Sequence, residues 1–171
     1  ENQLSYISIH ELAKSYLSVI KGVQPIGPYY LLGYSFGGTV MHEVAHLLLQ
    51  EGQAVNLLVM IDSWAITEKN NHNKQTFRRQ LGLLSDALSE SMLALAWERE
   101  KLLLAHSPSC IKQEIVLFKS KKLIQGFQDI DDPYNGWKKY TSLNIKCFEI
   151  EGDHHTIMAL NGIKEMLAIL Y

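Results

Sequence analysis

Two motifs with catalytic potential stand side by side in residues 33–46. The first, GYSFG with Ser35 at its centre, fits the pattern G-x-S-x-G, in which a serine on a sharp strand-to-helix turn acts as a nucleophile. The second, HEVAH from His42 to His46, fits H-E-x-x-H, in which two histidines on one helix face bind zinc. One helix seldom serves both chemistries, so the surrounding sequence has to decide between them.

The serine hypothesis requires a histidine that acts as the base and an acid that orients it, and in hydrolases with this turn the acid precedes the histidine along the chain. Asp62 ends the apolar segment VNLLVMI and His154 follows the apolar segment NIKCFEI, so both lie where a strand is expected to end. We therefore predict Ser35 as the nucleophile, Asp62 as the acid and His154 as the base. The backbone N–H of Phe36, at the start of a helix, is the expected oxyanion donor.

The zinc hypothesis requires a third ligand besides His42 and His46. The longer pattern H-E-x-x-H-x-x-G-x-x-H fails, because Leu49 and Gly52 stand where it needs glycine and histidine. The apolar stripe of this helix, which includes Val44, faces away from both histidines, so we expect them on the outer surface. We predict no metal site, and a zinc-dependent hydrolase stays an alternative hypothesis.

The elements that must position these residues alternate between helix and strand. Ser8 and Glu11 form a capping box at the start of the first helix, and Gly52 is a C-cap candidate for the helix that follows Ser35. Spacing and apolar runs predict the other bounds. The predicted elements are helices at 8–22, 36–51 and 161–170 and strands at 29–33, 55–61, 114–119 and 144–150. This alternation indicates an α/β protein with a parallel sheet.

Residues 64–108 interrupt that alternation. They carry leucine-rich amphipathic pieces and no strand signal, which predicts a helical insertion between two strands of a single domain over 1–171. The chain has 47% apolar and 20% charged residues, as is typical of a globular domain. A net charge of −2 gives no reason to expect a nucleic acid or an anionic membrane as partner.

The sequence favours a cytoplasmic protein. Its apolar runs are far too short to span a bilayer, and its first residues, ENQLSYISIH, lack the features of a signal peptide. Two cysteines, Cys110 and Cys147, do not make a disulfide framework, so we expect reduced thiols.

Four stretches of the sequence resemble one known family: IGPYYLLGYSFGGTVMHEVAHLLLQEG, VNLLVMIDSWA, YNGWKKY and IEGDHHTIM. The family is the type I thioesterase domain that ends nonribosomal peptide synthetases and polyketide synthases. Since the stretches extend over nearly the whole chain, the resemblance is more specific than any single motif. It implies an α/β-hydrolase fold, a mostly parallel sheet flanked by helices, with residues 64–108 as a lid that shapes an acyl pocket.

The resemblance also implies residue roles and a substrate. The nucleophile, acid and histidine of the family fall on Ser35, Asp62 and His154. The implied substrate is an acyl or peptidyl chain, held as a thioester on the 4′-phosphopantetheine arm of a carrier domain in the same polypeptide. Hydrolysis or cyclisation releases that chain, and no further cofactor is expected to be bound.

Three neighbouring residues, Tyr34, Trp64 and His155, are expected to contact the substrate. Two alternatives stay open. His155 could act as the base in place of the histidine before it, and Asp131 or Asp132 could act as the acid, since stand-alone thioesterases take theirs from the loop after the next strand. The sequence DDP favours a turn with a capping role for these two aspartates.

One part of the family pattern is missing from the sequence. The family begins with further strands and a His-Pro-x-x-Gly loop that supplies a second oxyanion N–H, whereas here His10 lies inside the predicted helix 8–22. The sequence therefore indicates an N-terminally truncated fold whose first strand, 29–33, has an unpaired edge. Either the sequence is a fragment, or the protein is a non-catalytic relative that only docks a carrier domain.

Overall fold

A computed structural model describes residues 7–65, 89–122 and 132–170 of the chain. Every element predicted from the sequence within these ranges is present, and no bound differs from its prediction by more than one residue. In chain order the elements are α1 (Ile9–Val23), β1 (Tyr29–Tyr34), α2 (Phe36–Gln50), β2 (Val55–Ile61), α3 (Glu90–Ala105), β3 (Ile115–Ser120), a 3₁₀ helix (Trp137–Tyr140), β4 (Ile145–Ile150) and α4 (Leu160–Leu170).

The four strands form a parallel sheet in the order β1-β2-β3-β4. Because all strands run in one direction, their carboxyl ends meet at one edge, with Tyr34 beside Ile61 and Ser120 beside Ile150. Within the described ranges β1 pairs only with β2. The predicted α/β class is confirmed, and the edge that should hold the site carries the end of each strand.

Helices cover both faces of the sheet and bury its alternating side chains. Leu58 and Leu117 belong to a core that the sheet shares with α1 and α2. Phe118 and Ile150 belong to a second core on the opposite face, to which Met166 of α4 contributes. This burial on both faces explains why the central strands read as nearly continuous apolar segments.

The ends of the first two helices follow their capping residues. Ser8 Oγ accepts a hydrogen bond of 3.1 Å from the backbone N–H of Glu11, which begins α1 as predicted. Gly52 has φ of 72° after α2, and the N–H of Gln53 donates to the carbonyl of Leu48 at 2.9 Å. This is a Schellman ending, in which only glycine adopts the left-handed conformation without strain.

Helix α3 lies within the predicted insertion at 64–108. It begins after Ser89, whose Oγ accepts a hydrogen bond from the N–H of Met92 at 3.3 Å. Residues 66–88 of that insertion fall outside the described residues, and its role as a lid stays a prediction. No helix in the described parts of the chain is long and apolar enough to cross a membrane.

The prediction that both histidines of HEVAH lie on the outer surface is wrong for His42. Its side chain has 0% exposure, its ring centroid lies 5.0 Å from that of Trp137, and its Nε2–H donates to the Tyr140 carbonyl at 3.1 Å. His46 is partly buried. The apolar stripe of α2 faces the sheet, but the 3₁₀ helix covers the side that carries His42, so this part of α2 is enclosed.

Burial lowers the pKa of His42 from 6.5 to about 4, since the surrounding apolar groups disfavour the charged imidazolium. In the unfolded chain the same histidine takes up a proton near its ordinary pKa. Between these two values the unfolded state binds more protons than the folded state, so His42 makes the free energy of unfolding decrease as the pH falls below 6.5.

We predict that His42→Gln removes this part of the acid sensitivity. Between pH 7.5 and pH 4.5 the native chain should lose roughly 2 to 3 kcal/mol more free energy of unfolding than the variant. Urea unfolding at both pH values measures the difference, with His155→Gln as a control because His155 is exposed. Equal losses in the native chain and in His42→Gln would contradict the assignment.

Candidate active site

Ser35 lies on a tight turn between β1 and α2. Its backbone has φ of 53° and ψ of −124°, a strained conformation for a residue with a side chain. The N–H of Ser35 donates to the carbonyl of Ile61 at 2.8 Å, which fixes the turn to the end of β2. This turn conformation places the hydroxyl at the sheet edge and keeps it accessible, as a nucleophile requires.

Two glycines allow the turn, and they are not the pair that the motif suggests. A Cβ on Gly33 would overlap the backbone of Gly37, and a Cβ on Gly38 would overlap the side chain of Ser63. A Cβ on Gly37 would meet nothing within 4 Å. The close approaches at positions 33 and 38 therefore set the need for glycine, while Gly37 contributes its backbone to the contact with Gly33.

Ser35, His154 and Asp62 form a continuous chain of hydrogen bonds at the carboxyl edge of the sheet. Ser35 Oγ lies 2.9 Å from His154 Nε2, and His154 Nδ1 lies 2.8 Å from Asp62 Oδ2. With Nδ1–H donating to the carboxylate, Nε2 is left to accept the serine proton. These three side chains come from the ends of β1, β4 and β2, as the sequence predicted.

Asp62 is held by a residue that the sequence reasoning missed. Its Oδ1 accepts a hydrogen bond of 2.9 Å from the backbone N–H of Ser120, and its Oδ2 accepts one of 2.9 Å from Ser120 Oγ. Burial alone would raise the pKa of Asp62, but the hydrogen bonds from His154 and Ser120 outweigh it and hold the pKa below its ordinary value. The carboxylate is therefore charged and fixed in orientation.

The position of Ser120 in the sequence weakly indicates that it lies near Asp62. A serine that ends a strand beside the strand of Asp62 reaches the same sheet edge, but a serine in that place has no motif of its own. The contact joins residues 58 positions apart, which is beyond what local spacing can predict.

Comparison with known proteins identifies the family of the chain. Residues 3–170 match the model of the family described as Thioesterase domain. The chain belongs to the thioesterase domain family. Malpibaldin synthetase of Mortierella alpina is 32% identical over 175 residues, which cover 91% of this chain and 3% of that synthetase.

Solved structures of similar fold include a thioesterase domain and a nonribosomal peptide synthetase. The NocB thioesterase domain, in covalent complex with a fluorophosphonate nocardicin G analog, has a TM-score of 0.78 and 19% identity, over 100% of this chain and 78% of that one. The four-domain nonribosomal peptide synthetase AB3403 has a TM-score of 0.77 and 21% identity, over 100% of this chain and 16% of that one. At these identities the likeness shows the α/β-hydrolase-like fold.

The segment after Asp62 in this thioesterase domain is fixed from the loop before β4. The carbonyl of Ser63 accepts hydrogen bonds from Asn135 Nδ2 at 3.2 Å and from Trp137 Nε1 at 3.0 Å. Asn135 and Trp137 are both fully buried. In the sequence, YNGW is only part of a family resemblance, whereas in the structure two of its side chains fix the segment after Asp62.

The other predicted site residues lie around the hydrogen-bonded chain. Phe36 is the first residue of α2, where a backbone N–H has no partner within the helix. Trp64 is half-buried after Ser63, and His155 is exposed with its ring edge-on to that of His154. His154, and not His155, lies between the serine and the acid. Substrate contacts by Tyr34, Trp64 and His155 stay predictions.

The competing acid is engaged elsewhere. Asp132 Oδ1 accepts hydrogen bonds from the backbone N–H groups of Tyr134 at 2.7 Å and Gly136 at 3.0 Å. This is the turn-capping arrangement that the sequence favoured, and it occupies the carboxylate within its own loop. Asp131 lies outside the described residues.

The geometry around HEVAH does not favour zinc chemistry. Glu43, which a zinc hydrolase of this pattern uses as its base, lies 2.7 Å from His10 Nδ1 and 3.7 Å from His106 Nε2. His42 packs against Trp137 in the core. Across residues 7–65, 89–122 and 132–170, no three His, Cys, Asp or Glu side chains stand close enough to hold a metal ion.

We predict that Ser120→Ala slows the reaction of Ser35 with a fluorophosphonate probe about tenfold, because one hydroxyl bond that orients Asp62 is lost. The free energy of unfolding should fall by only about 1 kcal/mol. The rate of labelling, followed by intact-protein mass spectrometry, measures the effect. Ser142→Ala is the control, since the Ser142 hydroxyl bonds to the Ile111 carbonyl. Equal labelling rates for the two variants would contradict a role for Ser120.

Proposed function

We propose that this thioesterase domain releases an acyl or peptidyl chain from the 4′-phosphopantetheine arm of a carrier domain through an acyl-enzyme on Ser35. The observation that carries the proposal is the hydrogen-bonded chain from Ser35 through His154 to Asp62, with distances of 2.9 Å and 2.8 Å. Membership of the thioesterase family supplies the reaction class. Asp131 and Asp132 are not needed as acids in this mechanism.

The first half of the reaction forms the acyl-enzyme. Ser35 Oγ attacks the thioester carbonyl carbon, while His154 Nε2 takes the hydroxyl proton. The oxygen of the tetrahedral intermediate gains negative charge, which the N–H of Phe36 and the N-terminus of α2 stabilise. When the C–S bond breaks, the imidazolium of His154 returns the proton to the leaving pantetheine sulfur. Asp62 stabilises that imidazolium and stays ionised.

The second half removes the chain from Ser35. Water, or a hydroxyl or amine of the bound acyl or peptidyl chain, gives its proton to His154 Nε2 and attacks the acyl carbonyl. Collapse of the intermediate returns the proton to Ser35 Oγ and releases an acid or a ring. Residues 64–108 are the proposed lid over the acyl chain, with Tyr34, Trp64 and His155 as proposed substrate contacts.

The proposed partner is an acyl or peptidyl carrier domain in the same polypeptide. The chain spans 3% of the length of malpibaldin synthetase and 16% of the four-domain synthetase structure. In both proteins the region similar to this chain is a small part of a much longer polypeptide. We propose that the phosphopantetheine belongs to the carrier and is substrate rather than a cofactor of this domain. A cytoplasmic location remains the expectation from the sequence.

Two other hypotheses receive less support. A non-catalytic docking domain has no need of an aligned serine, histidine and aspartate, whereas here all three are in hydrogen-bond contact. A zinc hydrolase would need His42 as a ligand, and that imidazole lies buried against Trp137. The serine mechanism is the one that uses the residues that stand together at the sheet edge.

We predict that the native domain cleaves an acyl-pantetheine thioester and that Ser35→Ala lowers the rate by at least about 10³-fold. Released thiol measures the rate, and Ser142→Ala should match the native domain. Native-like turnover by Ser35→Ala would contradict the nucleophile assignment. A folded native domain without turnover would instead favour the docking hypothesis.

A second prediction separates the two candidate acids. Asp62→Asn should lower kcat by about 10³–10⁴-fold, because the amide neither stabilises the imidazolium nor fixes its tautomer. Asp132→Asn keeps an oxygen that accepts the N–H groups of Tyr134 and Gly136, so its kcat should stay within about twofold of the native value. The opposite ranking would assign the acid to the loop after β3.

A further inference from the structure

Tyr34 makes two contacts with His154 that no sequence motif explains. Its hydroxyl donates a hydrogen bond to the backbone carbonyl of His154. Its ring stacks on the imidazole, with centroids 5.1 Å apart and planes inclined by 26°. The two residues are 120 positions apart in the chain, so the contacts join the end of β1 directly to the loop after β4.

The loop that carries His154 starts far from Ser35 in the sheet. β4 is the far strand of the sheet from β1, with β2 and β3 between them. After Ile150 the chain turns at Gly152, with φ of 116°, and His154 then reaches back to Ser35 and Asp62. Because the imidazole bonds both residues, a shift of this loop would change both distances together.

The contacts of Tyr34 leave the reacting atoms free. The ring covers one face of the imidazole and the hydroxyl binds the main chain, so Nδ1 and Nε2 remain available to Asp62 and Ser35. Burial, followed by the negative charges of Asp62 and Asp153, raises the pKa of Tyr34 above its ordinary value. The hydroxyl therefore keeps its proton and acts as a donor at neutral pH.

We propose that Tyr34 is a positioning residue, which holds the main chain and the ring of His154 in line with Ser35 and Asp62. This inference rests on the proposed function of those three residues. Tyr34, at the second position of GYSFG, would then orient His154 in addition to any contact that it makes with the substrate. Substitution of Tyr34 should therefore affect kcat more than KM.

The test compares two tyrosines of the same strand. Tyr34→Phe keeps the ring and removes the hydroxyl, while Tyr34→Leu removes both. Tyr30→Phe is the matched control, because the Tyr30 hydroxyl accepts a hydrogen bond of 3.1 Å from Asn56 Nδ2 and the side chain is 67% exposed. Thermal unfolding first establishes that each variant is folded at the assay temperature, and either Tyr34 variant alone suffices for the comparison.

Thioester turnover gives the first readout. We expect Tyr34→Phe to lower kcat about tenfold and Tyr34→Leu about 100-fold, with KM within about twofold of the native value and a displaced acidic limb of the pH–rate profile. A rise in KM with kcat unchanged would make Tyr34 a substrate contact and overturn the proposal. So would rates and pH profiles equal to those of Tyr30→Phe.

Nuclear magnetic resonance of the histidine side chains gives a second readout that needs no turnover. The Nδ1–H of His154, assigned by its loss in His154→Gln, should exchange faster with solvent in Tyr34→Phe than in Tyr30→Phe. If the native domain has no thioesterase activity, the proposed function fails and this exchange comparison still decides the role of Tyr34. Equal exchange in the two variants would overturn the positioning role even if turnover is observed.

Discussion

The site depends on one backbone constraint, the close approach of the chain to itself on either side of Ser35. The backbone at Gly33 touches that of Gly37, and Gly38 touches Ser63, so neither Gly33 nor Gly38 has room for a side chain. This packing holds Ser35 at φ of 53°, a conformation that costs of order 1–3 kcal/mol and persists only when its surroundings enforce it. As a result, the Ser35 hydroxyl is accessible and its position is fixed relative to β2.

The parallel sheet converts that constraint into a site, because each of its four strands ends in one member of a hydrogen-bonded chain. The members are Ser35 after β1, Asp62 after β2, Ser120 at the end of β3 and His154 after β4. The strand order alone would place the first and the last of them at opposite sides of the sheet. The turn after β4 returns His154 across that distance, and its ring there stacks on Tyr34.

The sequence predicted what local patterns determine and missed what distant contacts determine. Apolar runs and capping residues predicted the strands and helices, since these depend on neighbours a few positions away. A motif and a chain order pointed to Ser35, Asp62 and His154, and the structure brings these three side chains into hydrogen-bond contact. Ser120 was missed because its contact to Asp62 spans 58 positions. Burial of His42 was missed because spacing shows which side of a helix is apolar, not whether a second layer covers the other side.

The two motifs of residues 33–46 are parts of one assembly. HEVAH has the spacing of a zinc helix, but any helix puts residues four apart on one face, so spacing alone does not select a ligand pair. The contacts of His42 show its role instead. His42 packs on Trp137, and Trp137 Nε1 donates a hydrogen bond to the Ser63 carbonyl next to Asp62. A neutral imidazole with a pKa of about 4 suits this packing, because burial disfavours a charged ring there. The second motif thus packs against the residue that fixes the segment after Asp62.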